Sequence, residues 1–94
     1  MFAAVCAALV IRPVHALGTN AVVAGGSSNS ANGDNSFIGG GGFNSADGVF
    51  STVTGGNSNS VLYKYGTIGG GIQNLASQES TTVAGGAGNR AVNA

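Results

Sequence analysis

The 94-residue chain contains no tryptophan, only one cysteine, one proline and one methionine, and just 6% charged residues. Each shortage excludes something. With no tryptophan and few aromatics, and with aliphatic content that is mostly Ala and Val, large interlocking side chains cannot supply a conventional core. A single cysteine, Cys6, leaves neither an intrachain disulfide nor a cysteine-ligated zinc site. Three basic and three acidic residues give a formal net charge of zero, so there is no basic stripe for phosphates and nucleic acid is not an expected partner. The length allows one small domain and rules out a two-domain enzyme. What is present is glycine, 18 residues of it. The mean hydropathy of +0.25 is too high, and the charge too low, for ordinary disorder. Such a chain folds by repetition.

Phe2 to Ile11 is an unbroken apolar run of ten residues, followed by Arg12, Pro13 and then Val14-His15-Ala16. The run is too short to span a bilayer, which takes about 20 apolar residues, but it has the length of a secretory h-region. Val14 and Ala16 place small residues at the minus-three and minus-one positions of a cleavage site. Residues 1–16 are therefore expected to be a helical signal segment, with a mature chain of residues 17–94. The other reading is an uncleaved apolar segment that covers the first turn of the domain. Cleavage after Ala16 removes Cys6, Arg12 and His15, leaving Lys64 and Arg90 against Asp34, Asp47 and Glu79. The expected location is secreted or cell surface, with no membrane span in the mature chain.

From residue 20 onward the sequence repeats. Val23-Ala24-Gly25-Gly26, Ile38-Gly39-Gly40-Gly41, Val53-Thr54-Gly55-Gly56, Ile68-Gly69-Gly70-Gly71 and Val83-Ala84-Gly85-Gly86 succeed one another at steps of 15 residues, without an insertion. Asn29, Asn44, Asn59, Asn74 and Asn89 hold one further column, and Ala31, Ala46, Val61, Ala76 and Ala91 another. The period is too short for helical repeats and too long for calcium-binding nonapeptides. It fits a coil of two short strands. Thr52-Val53-Thr54 alternates as a strand, Gly-Gly breaks it, Asn-x-Ala forms the second strand, and Gly33 or Gly48 makes the return bend. The expected fold is all-β: a parallel β-roll or solenoid of five coils, each strand beside its counterpart one repeat away, about 4.8 Å along the axis. Val23, Ile38, Val53, Ile68 and Val83 then point inward opposite the Ala/Val column. The asparagines are expected to bond from coil to coil as a ladder.

Two coils depart from the pattern. Tyr63 and Gln78 replace the bend glycine, and Phe50 and Tyr65 share a column on successive coils, where they are expected to stack. Lys64 between two tyrosines marks either a binding spot or an aromatic pair covering a sheet edge. No catalytic or metal-binding constellation can be assembled, because the only histidine lies in the apolar leader and the three acids are scattered over different coils. No enzyme activity, cofactor or metal is expected. The glycines include no G-x-G-x-x-G and no Walker lysine, and no asparagine begins an N-x-[ST] sequon.

The repeat resembles the head of trimeric autotransporter adhesins, the YadA-like head. Setting Gly26, Gly41, Gly56, Gly71 and Gly86 on the glycine of that family's S-V-A-I-G-x-x-[SA]-x-A-x-G pattern puts Thr52 on its Ser and Val53 on its Val. Ala46 and Ala76 then fall on the later Ala, and Gly48 on the final Gly. The resemblance covers about residues 20–94. Here a second glycine replaces the family's Ile, Asn stands where Ser or Ala is usual, and the period is slightly longer. The resemblance implies a left-handed parallel β-roll that works as a homotrimer and attaches to extracellular matrix or another surface. Neither a heptad stalk nor a barrel-forming segment is read in these residues, so the expectation is a head without its body.

A homotrimer is also expected from the residues themselves, since two columns of small inward side chains must offset about 1.5 kcal/mol of ordering entropy per residue. Ala24, Gly39, Thr54, Gly69 and Ala84 are expected to let protomers approach closely. A different function is suggested by Thr52, Thr67 and Thr82. Stacked at about 4.8 Å, these threonines form a ladder of the kind that orders water and binds ice, although Val22 and Phe37 occupy the same column.

Overall fold

The computed structural model describes residues 14–92, which form eleven strands of two residues each. In chain order these are β1 (His15–Ala16), β2 (Val22–Val23), β3 (Ser30–Ala31), β4 (Phe37–Ile38), β5 (Ser45–Ala46), β6 (Thr52–Val53), β7 (Ser60–Val61), β8 (Thr67–Ile68), β9 (Leu75–Ala76), β10 (Thr82–Val83) and β11 (Arg90–Ala91). The odd-numbered strands stack into a six-stranded parallel sheet and the even-numbered strands into a five-stranded one. Every pairing joins residue i to residue i+15. One column runs Val23↔Ile38↔Val53↔Ile68↔Val83, the other Ala16↔Ala31↔Ala46↔Val61↔Ala76↔Ala91. The protein is the all-β solenoid that its period implies.

The leader expected to be helical lies, up to residue 13, outside the described residues. Its last two residues are strand β1, which pairs with β3. The roll therefore begins before the expected boundary at Ala16.

Each coil also has a third line of contact beyond the two expected strands. Ser27, Gly42, Asn57, Ile72 and Ala87 form parallel bridges from coil to coil. Gly42 N donates to Gly56 O at 2.9 Å, and Ser58 N donates back to Gly42 O at 2.9 Å. The glycines before this line and the turn residue after it hide the third segment in the sequence, because no alternating apolar pair marks it.

The core is narrow and made of small side chains. Val23, Ile38, Val53, Ile68 and Val83 from one sheet meet Ala31, Ala46, Val61 and Ala76 from the other, all at 5% exposure or less. Where the Ala column swells, its neighbour shrinks. Val61 replaces alanine, and Gly66 stands where the same column elsewhere holds Ala21, Ser36, Ser51 and Thr81; a Cβ on Gly66 would lie 2.5 Å from Val61 Cγ1. The two changes keep the packed volume of that layer roughly constant, as a close-packed core demands.

Beside this apolar column runs a polar one. Asn29, Asn44, Asn59 and Asn74 are at most 1% exposed, and each makes three hydrogen bonds. Asn59 is representative: its Nδ2 donates to Gly55 O and to Gly71 O, both at 2.9 Å, and its Oδ1 accepts from Asn74 N at 2.9 Å. One short planar amide thus satisfies two carbonyls and one amide on two coils, which Asp, Ser or Ala cannot do. The terminal member, Asn89, is exposed and donates to Gly85 O at 2.8 Å.

The glycine preceding this column is required twice over. Gly26, Gly41, Gly56, Gly71 and Gly86 sit at φ between 87° and 101°, and at Gly41 or Gly56 a Cβ would run into the next coil's carbonyl oxygen. The small residues of the neighbouring column have a different explanation from the one expected. A Cβ at Gly39 would strike Thr54 O, and one at Gly69 would strike Ala84 O. Both glycines are small because of coil stacking inside the chain, so their size carries no information about approach by a second protomer. Only in these two coils does the adjoining glycine, Gly40 or Gly70, take up a positive φ of 154° or 146°.

Candidate surface-recognition site

The inward columns are fully used by packing and by the asparagine ladder, so contact chemistry is confined to what points outward. The outer face of the even-numbered sheet carries Val22, Phe37, Thr52, Thr67 and Thr82, flanked by Ala24, Gly39, Thr54, Gly69 and Ala84. No charge appears on it. Thr52, Thr67 and Thr82 are in register on β6, β8 and β10, while Val22 and Phe37, 45% and 38% exposed, continue their column with apolar side chains. The opposite face differs. There His15, Ser30, Ser45, Ser60, Leu75 and Arg90 line the odd-numbered sheet, with Asn32 and Asp47 beside them bonded to one another at 2.7 Å.

The second surface is the corner that leads from the odd to the even strands. At its apex Asn20, Asn35, Phe50, Tyr65 and Ser80 all have φ between 58° and 63°. Asparagine tolerates this left-handed conformation, whereas an aromatic residue there costs about 1–2 kcal/mol. The coils impose it regardless: Phe50 N donates to Asp34 O at 2.9 Å and Tyr65 N to Val49 O at 3.0 Å. The two rings stack, with centroids 5.7 Å apart and planes 7° from parallel. This is the stacking expected from the shared column. The pair does not cover a sheet edge, however; it stands on the corner, each residue 52% exposed.

Lys64 lies beside the charge of the following coil, with Val49 at the equivalent position of the preceding one. Its Nζ is 3.7 Å from Glu79 Oε2 and 6.0 Å from the centre of the Tyr65 ring. Both side chains of the ion pair are more than half exposed, so the pair contributes about 0–1 kcal/mol. Next to it, Tyr63, Ser77, Gln78 and Glu79 line a shallow cleft of about 350 Å³. The cleft coincides with the break in the glycine column. A Cβ on Gly18, Gly33 or Gly48 would run into the carbonyl oxygen of the next coil's bend residue. At the step where the cleft lies, Tyr63 and Gln78 hold the bend position instead.

Among the described residues, no group of three or more His, Cys, Asp or Glu side chains converges to hold a metal, and no helix is long and apolar enough to cross a membrane. The buried columns and the aromatic stack stand where the sequence pattern puts them, whereas the cleft and the left-handed corner were not foreseen from it. A signal for the corner was available in Asn20 and Asn35, since asparagine is the residue most often found there after glycine. No family model, curated protein or solved structure matches this chain.

Proposed function

We propose that the protein is a non-enzymatic, adhesin-like head module, secreted or displayed at the cell surface, which assembles as a homotrimer and attaches to matrix or another extracellular surface. The observation that carries this reading is where the large apolar side chains sit. Phe37, Phe43, Phe50, Tyr63 and Tyr65 are all 38% exposed or more, while the core contains nothing larger than isoleucine. A chain that keeps its aromatics outside and its small aliphatics inside is built to contact something else. The uncharged outer face of the even-numbered sheet fits the same role, since burying it between protomers adds apolar area to a thin core.

Sedimentation of the purified chain tests the assembly. The expected species has three times the 9.0 kDa chain mass. Phe37→Asp and Thr67→Lys on the even face are expected to dissociate it while leaving the coil signature intact. Gly39 and Gly69 are unsuitable for this test, because a side chain there collides within the fold. A folded monomer that persists across micromolar concentrations would remove the trimer. Export is tested by mass spectrometry of secreted material, for which Leu17 is the expected first residue.

The in-register Thr52-Thr67-Thr82 column supports ice binding as a second reading. Thermal hysteresis that is lost in Thr67→Val would favour it; absence of hysteresis would leave the adhesive reading.

A further inference from the structure

The corner built on Phe50, Tyr63 and Tyr65 is expensive for the fold. In the first two coils its apex holds Asn20 and Asn35, which suit a positive φ, and in the next two it holds Phe50 and Tyr65, which do not. The bend glycine is likewise replaced by Tyr63 at the same step. Three of the five aromatics among the described residues are thereby gathered on one corner, each about half exposed, with none contributing to the core. Aromatic residues held at positive φ on an exposed corner, with only each other to pack against, point to a surface use.

The cleft at that corner suggests which ligand. Its lining is Tyr63 together with Ser77, Gln78 and Glu79, so one aromatic residue is brought together with residues that carry a hydroxyl, an amide and a carboxylate. The nearby positive charge of Lys64 is paired with Glu79, so the cleft selects neither a cation nor an anion strongly. Its volume, about 350 Å³, is at the lower end of the range of about 300–1,000 Å³ typical of small-molecule clefts. A ring with an apolar C–H face and a rim of hydroxyls matches this mixture of aromatic and polar lining. We propose that this corner is a saccharide-binding site in which one pyranose ring of a neutral polysaccharide stacks on Tyr63 and its hydroxyls bond to Ser77, Gln78 and Glu79, with the Phe50–Tyr65 pair alongside for the next ring. The proposal names a ligand class for the adhesive reading, on which it rests for its biological setting.

The protein reports on this site without a label. It has no tryptophan and only two tyrosines, Tyr63 and Tyr65, both on the corner. Tyrosine emission and ring-proton shifts are monitored in the full chain during titration with cellohexaose, chitohexaose and β-mannohexaose. At least one of the three is expected to produce a saturable change near about 1 mM. Tyr63→Ala is expected to weaken that binding by about tenfold or more, Gln78→Ala by less, and Tyr63→Phe is expected to retain it. Circular dichroism confirms that each variant keeps the parent coil signature. No response to any of the three sugars at about 10 mM, or undiminished binding by a folded Tyr63→Ala, overturns the site. A trimer that ignores all three sugars removes the site and leaves the assembly reading standing, whereas a monomer that binds one does the reverse.

Discussion

The two corners of each coil are governed by different constraints. At one, Gly-Gly and an asparagine, buried in the first four repeats, recur in all five without substitution. At the other, the bend residue is Gly18, Gly33, Gly48, Tyr63 and then Gln78, and the apex residue is Asn20, Asn35, Phe50, Tyr65 and then Ser80. At the first corner Asn29, Asn44, Asn59 and Asn74 are buried and make three hydrogen bonds each, so almost any change at them strands buried polar groups. The second faces water, and its backbone is held by hydrogen bonds from adjacent coils, such as Phe50 N to Asp34 O, that do not depend on the side chain present. Uniformity in this protein therefore marks stability. Irregularity is tolerated where the side chain faces solvent.

The contrast is broken most severely at Asn59. Asn59→Ala leaves Gly55 O, Gly71 O and Asn74 N without their partner, and should cost about 3–5 kcal/mol in urea or thermal unfolding. Asn59→Asp should be at least as damaging, because it exchanges two donors for a buried charge. Next comes the compensated layer. Gly66→Ser should destabilise by about 1–3 kcal/mol through collision with Val61, and Val61→Ala should recover most of that loss by restoring the Ala-plus-Ser pairing of neighbouring coils. A double-mutant cycle should report a coupling of about 1 kcal/mol or more; additive costs would show that the two sites do not share space.

Smaller and opposite in sign is the effect at a strained, unstacked aromatic. Phe43 has φ 55° and is 65% exposed, so Phe43→Asn should raise stability by about 1 kcal/mol. Tyr65→Asn should change it less, since relief of backbone strain is offset by loss of the Phe50 stack, worth about 0.5–1.5 kcal/mol. The smallest effect is expected at Ser51, whose buried hydroxyl finds no hydrogen-bond partner among the described residues. Ser51→Ala should be neutral within about 0.5 kcal/mol, or slightly stabilising, on the same unfolding curves.

The period carried most of the fold. Fifteen-residue spacing fixed the register of both sheets, since a slip would have turned Val53 outward and Thr52 inward. The column of asparagines was legible for a related reason: a polar residue recurring once per coil beside an apolar column must be satisfied by its own counterparts or by the backbone. Two things were not legible. The third line of bridges runs through Ser27, Gly42, Asn57, Ile72 and Ala87, whose side chains share no property because the contact is made by main chain alone. The need for glycine at Gly39 and Gly69 was hidden for the complementary reason. A glycine in a pattern does not reveal which backbone comes close to it, and here the adjoining coil does.

Native-state hydrogen exchange tests the distinction between the two corners most directly. The Asn44, Asn59 and Asn74 amides, each donating to the preceding asparagine's Oδ1 in a sealed column, should be among the slowest to exchange. The Phe50 and Tyr65 amides, although bonded at similar distances, stand on an exposed corner and should exchange markedly faster through local opening. Equal protection at the two corners, or slower exchange at the aromatic one, would contradict the claim that stability resides in the asparagine corner and leaves the other free for recognition.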